Sequence, residues 1–473
     1  MSIHATTPLY QTTYDRSDCK VGIVHLGFGA FHRAHQAVYF DDYMQRTGDL
    51  NWGIATVNLR ASEAEGFARS AKAENGYVLK SVDPEGTVAY RRVRSHVAFS
   101  DWSATPDLTV NLLAMPSVKA VSITVTESGY YIGNEGRLNC NDPIIRAEIE
   151  GSRKASVYAF LADGLAQRAK QIDQPITIVC CDNLRGNGEK LRLNFLDYLE
   201  LVEQDDLAAW VNNNVAFPNS MVDRITPRKA DEIQSEAQEL FGAQVGEVVQ
   251  SEAFTQWVLE QNFVAEMPRL DLVGVEFVND VDPYEEAKIR VLNGGHTCIA
   301  YQAALKGHET FDQAMDDEEL ALHFRNFELK EVLPALPDDI PLDTEAYLDD
   351  IAMRFRNQAI ADSVERICAD GFAKFQIFIR PTIEAVLENG NVPIYAIRTI
   401  ASWYWFSKAI QSKRISMDYY EPSWDALVPL LEEGHVQDFT TSIVLWSDLP
   451  ERFPQFSKVL TATITEMENS WPM

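Results

Sequence analysis

Val21-Gly22-Ile23-Val24-His25-Leu26-Gly27-Phe28-Gly29-Ala30-Phe31-His32 is the stretch on which the fold turns. Val21 to Leu26 reads as a buried strand, and the residues from Ala30 to about Gln45 read as a helix. Between them, Gly27 permits a tight turn and Gly29 lets the backbone approach a ligand. A pyrophosphate resting over a helix N-terminus is the ligand that such a turn suits. Phe28, Ala30 and Phe31 complete the candidate dinucleotide-binding loop. The usual third glycine is His32, so the pattern is G-x-G-x-x-H. A glycine pair alone is often only a turn; the strand before it and the helix after it give it meaning.

Working outward, Trp52 to Val57, Lys119 to Thr126 and Ile176 to Val179 also read as buried strands, separated by helical stretches. That alternation predicts a mainly parallel sheet with helices on both faces. Val273 to Val278 reads as one more strand. From Tyr284 onward helical patterns dominate. The expected architecture is an α/β, Rossmann-like domain over residues 1–280, followed by a mostly α-helical domain over residues 281–473. The second strand of such a sheet normally ends in an acidic residue that binds the ribose. Here it ends Val57-Asn58-Leu59-Arg60. Asn58 can hydrogen-bond a ribose and Arg60 can tolerate a 2′-phosphate, so the choice of NAD or NADP stays open, with NAD favoured.

Composition narrows the classes. The chain has 473 residues, 46% apolar and 23% charged, enough for ample cores without staples. A net charge of −29 repels phosphate backbones and acidic membrane surfaces, which argues against nucleic acid and membranes as partners. Met1 to Asp18 shows no apolar or basic targeting segment. Cys19, Cys140, Cys180, Cys181, Cys298 and Cys368 are scattered, with two adjacent, which suits reduced thiols rather than a disulfide framework. A cytoplasmic protein is the expectation, as a monomer or small homo-oligomer.

The second informative stretch is Pro283-Tyr284-Glu285-Glu286-Ala287-Lys288-Ile289-Arg290-Val291-Leu292-Asn293-Gly294-Gly295-His296. On an α-helix, Lys288, Asn293 and His296 fall within about 140° of one face, with Glu285 between Lys288 and His296. An ordinary amphipathic helix explains any one of these residues. The set of four, beside two glycines that each cost about 1 kcal/mol of helix stability, suggests a site with close approach by a ligand or another backbone. A lysine whose amine is kept neutral can take the proton of an alcohol, while amides hold the developing alkoxide. Zinc would do the same work as a Lewis acid, but C-x-x-C and H-E-x-x-H patterns are absent, and no metal is expected.

The motifs as a set resemble the polyol-specific long-chain dehydrogenases, a family that includes mannitol 2-dehydrogenase, D-arabinitol 4-dehydrogenase and fructuronate reductase. The resemblance runs through Gly27 to Gln36, Thr124-Val125-Thr126-Glu127-Ser128-Gly129-Tyr130, Cys181-Asp182-Asn183, Pro218 to Pro227, the lysine helix, and Ala369-Asp370-Gly371-Phe372-Ala373-Lys374. It implies Lys288 as general acid/base, Asn183 and Asn293 as the alkoxide-stabilising pair, and His296 as the residue that positions the reacting oxygen. It implies Glu285 as a proton relay and Asp223, Arg366 and Lys374 as contacts to the remaining hydroxyls. Glu127, beyond the strand ending at Thr126, belongs with the cofactor residues. Simpler roles compete: an ion pair for Asp223 with Arg224, a turn for Asn183, surface charges for Arg366 and Lys374.

The function implied is NAD-dependent interconversion of a sugar alcohol and its ketose. The segments Tyr284 to His296, Arg366 to Lys374 and Thr226-Pro227-Arg228 look closest to mannitol and arabinitol dehydrogenases. D-mannitol with D-fructose is therefore the first choice of substrate, and D-arabinitol with D-xylulose the next. A fructuronate reductase, with Arg366 or Lys374 meeting the carboxylate, is the alternative within the family. A non-catalytic dinucleotide-binding scaffold is the alternative outside it.

Overall fold

A computed structural model of the chain describes residues 8–72, 75–133, 136–152, 154–227, 231–242 and 245–468. Arg228 and the first seven residues of Met1–Asp18 lie outside that range. The chain divides into two compact units, one of Met1–Asp83 with Thr87–Asp282, the other of Pro84–Gly86 with Pro283–Met473.

The first unit is organised by a six-stranded sheet. Its strands are β1 (Val21–Leu26), β2 (Gly53–Asn58), β3 (His96–Asp101), β4 (Ala120–Ile123), β5 (Ile176–Cys180) and β6 (Val215–Ala216). They lie in the order β3-β2-β1-β4-β5-β6, all parallel. This is the strand order of a doubly wound dinucleotide-binding fold, with its reversal between β1 and β4. β2, β4 and β5 are buried at every position, as expected of strands covered on both faces. Several expected bounds move. β2 starts at Gly53 rather than Trp52, and the strand expected over Lys119–Thr126 keeps only Ala120–Ile123. Beyond it the chain turns into a short 3-10 helix at Glu127–Tyr130.

Among the described residues, this unit has two smaller sheets as well. One is mixed, in the order Leu9–Gln11, Val88–Val93, Tyr77–Val82, Val248–Glu252. The other joins Ser220–Asp223, Gln256–Glu260 and Glu276–Val278. The strand expected over Val273–Val278 is thus only Glu276–Val278, and it belongs to this small sheet, paired parallel with Gln256–Glu260.

The second unit is helical. Its core is built on Gly294–Lys306 and Ile394–Gln411, two mostly buried helices that pack against each other, with Pro454–Met467 against the second. Among the described residues, three helical runs contain a π turn, at Lys288–Asn293, Glu328–Val332 and Phe375–Ile379. The first of these packs against the other two. Among the described residues, no helix is long and apolar enough to cross a membrane.

Candidate active site

The glycine turn is built as its residues require. Gly27 has φ +103°, and a Cβ there would come within 2.3 Å of the Thr124 carbonyl oxygen. Only glycine fits where β1 turns past the end of β4. Gly29 differs: it has φ −68° and caps the helix Ala30–Ala34, and a Cβ there would meet nothing within 4 Å. The protein itself does not demand glycine at this point, and the open space over the helix start suits a pyrophosphate. Phe28 packs edge-on against Phe67, Phe99 and His96, and Phe31 stacks on His35. The expected continuous helix to Gln45 is broken at His35 into Ala30–Ala34 and Gln36–Thr47.

His32, in the third glycine's place, stacks on His25 of β1 with ring centroids 3.3 Å apart. The close helix–strand approach normally bought with a glycine is made here by two flat rings. His32 Nε2 and His96 Nε2 share a 2.9 Å hydrogen bond, and His25 bonds the hydroxyls of Ser122 and Thr124. Burial holds all three imidazoles neutral, with His96 pushed down to about 3.

At the end of β2, the Asn58 amide donates to the Arg60 carbonyl (2.9 Å) and to Asp101 Oδ1 (3.2 Å), and its oxygen accepts from Arg60 N–H (3.2 Å). The side chain closes a turn and ties β2 to β3. The Arg60 guanidinium donates to the Val125 carbonyl and lies 3.6 Å from the Glu63 carboxylate.

Beyond β4 and β5, one half-buried carboxylate organises the loops. Asp182 accepts from Val125 N–H (2.9 Å), Thr126 N–H (3.1 Å) and the Tyr130 hydroxyl (2.7 Å). Burial raises it to about 6 against the pull of those donors. The clamp fixes the start of the loop carrying Glu127 next to Asn183, both of which are exposed. Asn219 supports the same end of the sheet. Its side-chain oxygen accepts from Gly188 and Glu189 N–H at the start of the helix Asn187–Leu201. Asp223 is buried at the end of Ser220–Asp223, opposite Gln256. Its neighbour Arg224 directs its guanidinium to the carbonyls of Glu252 and Ala34, binding this strand to the glycine-turn helix.

The helix Asp282–Ala287 passes through the π turn Lys288–Asn293 into Gly294–Lys306. A π turn pairs residue i with i+5, so the α-helical wheel misplaces Asn293. Residues five apart, about 140° apart on an α-helix, are drawn toward one side. Lys288 is 7% exposed, Glu285 and His296 8%. The two glycines serve packing. A Cβ on Gly295 would lie 2.5 Å from Phe324 and 3.1 Å from Glu328, and one on Gly294 would lie 3.4 Å from the Phe378 carbonyl. The close approach is made by neighbouring helices of the same unit.

His296 lies flat on Phe355 (3.9 Å between centroids) with Phe311 edge-on. Burial, then the charges of Arg366, Arg354 and Lys374, keep its imidazole neutral. Its Nε2 has no hydrogen-bond partner and lies 4.0 Å from Asp362 Oδ2. Asp362 grips Arg366 through both Nε (2.9 Å) and Nη2. Lys374 donates to the Ile367 carbonyl (2.6 Å), and burial lowers its ammonium to about 8. The structure thus gathers His296, Arg366 and Lys374 around Asp362, a residue the sequence reading passed over. The only local hint was its i, i+4 spacing to Arg366. Among the described residues, no group of three or more His, Cys, Asp or Glu is placed to hold a metal ion.

The mannitol dehydrogenase Rossmann domain model matches residues 21–272, and the mannitol dehydrogenase C-terminal domain model matches residues 280–468. The chain belongs to the mannitol dehydrogenase family. D-arabinitol 4-dehydrogenase of Ralstonia nicotianae is 37% identical over 374 residues, 79% of this chain and 80% of its own length. Mannitol 2-dehydrogenase of Cereibacter sphaeroides is 36% identical over 423 residues, 89% of this chain and 88% of its own. Among solved structures, Pseudomonas fluorescens mannitol 2-dehydrogenase, in a ternary complex with NAD and D-mannitol, superposes with a TM-score of 0.86 at 30% identity. The match covers 98% of this chain and 94% of that one. Membership of the mannitol dehydrogenase family makes the protein an oxidoreductase acting on CH–OH groups, with the α/β and helical halves predicted.

Proposed function

We propose that the protein is an NAD-dependent polyol dehydrogenase that interconverts a sugar alcohol and its ketose, with Lys288 rather than a metal ion handling the alcohol proton. D-mannitol and D-fructose are the first pair, D-arabinitol and D-xylulose the next. The observation that carries the reading is the π turn itself. It begins at buried Lys288 and ends at Asn293, with His296 following in the same helical run. π turns recur at functional sites because they present side chains that a regular helix would separate.

The residues divide the work as follows. Lys288, as the general base, takes the hydroxyl proton. Asn183 and Asn293 donate to the developing alkoxide. His296, neutral in its aromatic slot, orients the reacting oxygen. Glu285, one turn before Lys288, passes the proton toward solvent. NAD, when bound, would supply the acceptor for the hydride leaving the carbinol carbon. The glycine turn with Gly29 fits its pyrophosphate, while Glu127 and the Asn58 turn border the site. NAD rather than NADP is supported by the related Pseudomonas fluorescens mannitol 2-dehydrogenase, whose ternary complex holds NAD. Asp223, Arg366 and Lys374 bind the remaining hydroxyls.

The test is a panel of polyols and ketoses with NAD and with NADP, run on the wild type and Lys288→Ala. Lys288→Ala should lose about 10²–10⁴-fold in turnover with NADH affinity little changed. Near-normal turnover in the variant would refute the lysine's role. Reduction of fructuronate with no turnover of mannitol or arabinitol would favour the hexuronate reductase. NADH binding without turnover across the panel would favour the scaffold.

A further inference from the structure

The surroundings of His296 pose a question of charge. Arg366, Arg354 and Lys374 all bear on its imidazole. A cluster of cations around a neutral, buried ring is a natural receptor for a carboxylate, and a sugar acid would be its obvious ligand. Asp362 changes that account.

The Asp362 carboxylate is 7% exposed and takes both Nε and Nη2 of Arg366. The planar fork with which arginine grips a carboxylate is thereby already filled from within the protein. Lys374 spends an N–H on the Ile367 carbonyl. Asp362 is also fixed by its own backbone. Its carbonyl accepts from Phe311 N–H (2.9 Å), next to the bridge between Thr310 and Ser363. Phe311 is the ring that meets His296 edge-on. The carboxylate is therefore held in register with the imidazole beside it.

The gap between them is chemically selective. His296 Nε2 is buried and without a partner, and Asp362 Oδ2 lies 4.0 Å away, too far for a direct bond. One hydroxyl placed between them can satisfy both, because it donates to the carboxylate while its second bond goes to the ring nitrogen. A substrate carboxylate only accepts, so it would face Asp362 with like charge and no proton to share.

We propose that Asp362 is a specificity-determining residue that admits neutral polyols and excludes anionic sugars by occupying Arg366 and presenting a carboxylate beside His296. The proposal rests on the reading of Arg366 and His296 as substrate-side residues.

The test compares D-mannitol with D-mannonate, and D-arabinitol with D-arabinonate. Each pair differs only in replacing a terminal carbinol by a carboxylate. Dissociation constants are measured by calorimetry on the full chain saturated with NADH, and turnover with NAD is recorded in parallel. The wild type should bind the neutral member at least tenfold more tightly. Asp362→Asn, checked for folding by far-UV circular dichroism and a denaturant melt, should narrow that preference at least tenfold, chiefly by tighter binding of the acid. A folded Asp362→Asn whose preference stays within twofold of wild type overturns the proposal. So does a wild type that binds the acid as tightly as the polyol, or that binds neither polyol. If Asp362→Asn does not fold, Arg366→Gln carries the test. It leaves the Asp362 charge uncompensated and should widen the preference at least threefold; an unchanged or narrower preference counts against the idea. A wild type with the expected binding preference but no turnover would overturn the dehydrogenase reading alone.

Discussion

Thr126 adopts φ +71° and ψ 158°, a region nearly reserved for glycine, at a cost of about 1–3 kcal/mol. It is held there from outside. The Asp182 carboxylate receives the N–H groups of Val125 and Thr126 on separate oxygens, with the Tyr130 hydroxyl sharing one of them. Asp182→Asn keeps the shape but turns one acceptor into a donor, which would point an amide N–H at a backbone N–H. Losing this charged acceptor costs about 1–3 kcal/mol, and the strained Thr126 is the residue freed by it. The loop carrying Glu127 should then relax. A fluorescence titration should show NADH affinity about tenfold weaker, equivalent to about 1.4 kcal/mol. Tyr130→Phe, which removes one donor and leaves both backbone bonds, should have a smaller effect. Unchanged NADH affinity in Asp182→Asn would mean that the clamp does not serve the cofactor side.

The π turn at Lys288–Asn293 depends on its neighbours more than on its own sequence. Gly295, just beyond it, faces Phe324 and Glu328, so that a Cβ would lie 2.5 Å from the ring. Gly295→Ala gains about 1 kcal/mol of helix propensity and loses about 1–3 kcal/mol to overpacking. The neighbour here is a wedged ring and not a flexible tip, so net destabilisation is expected. Denaturant melts should show it, and turnover should fall as the turn carrying Lys288 shifts. A more stable, fully active Gly295→Ala would refute this account. The same element shows what a sequence can convey. β1 and its glycines were legible because a strand buried at all but its first residue and a turn at φ +103° leave local marks: an apolar run and Gly27. The π turn leaves none, since no residue period at i+5 distinguishes it and packing against two other π turns selects it. β3, half-buried and unpatterned at His96–Asp101, was missed for a similar reason. So was the mixed sheet, whose strand Leu9–Gln11 pairs with residues some eighty positions away. Lys288 and His296 could be singled out by residue type and spacing. Asp362 could not, because its meaning lies in a ring and a guanidinium brought to it by folding.

Across the whole molecule, the buried titratable groups set opposite pH responses in the two units. His25, His32 and His96 in the first unit, and His296 and His323 in the second, are held neutral, with His96 and His323 pushed down to about 3. The unfolded chain takes up these protons near pH 6.5, so the stability they confer is complete above that value and is lost as pH falls toward the folded values. At pH 5, His96 alone costs about 2 kcal/mol relative to neutral pH. Raised carboxyls act in the other direction, because the folded state binds their protons first. They favour folding increasingly as pH falls from the folded value toward the ordinary one. The second unit has Glu331, raised to about 7, and Glu328, fully buried with neither oxygen partnered and raised well above the usual range. Glu331 alone offsets about 2 kcal/mol by pH 5, enough to balance much of what its two histidines lose. The first unit has Asp182 at about 6 and a raised Asp41 against three stacked and hydrogen-bonded histidines that also repel one another when charged. Its balance is the worse one. Between pH 7.5 and pH 5 the first unit should therefore lose most stability. In hydrogen exchange, amides of β1 and β4 should lose protection at pH 5 while those of Gly294–Lys306 and Ile394–Gln411 keep theirs. Loss in the helical unit first, or equal loss in both, would show that the histidine stack is not what governs the acid limit of the fold.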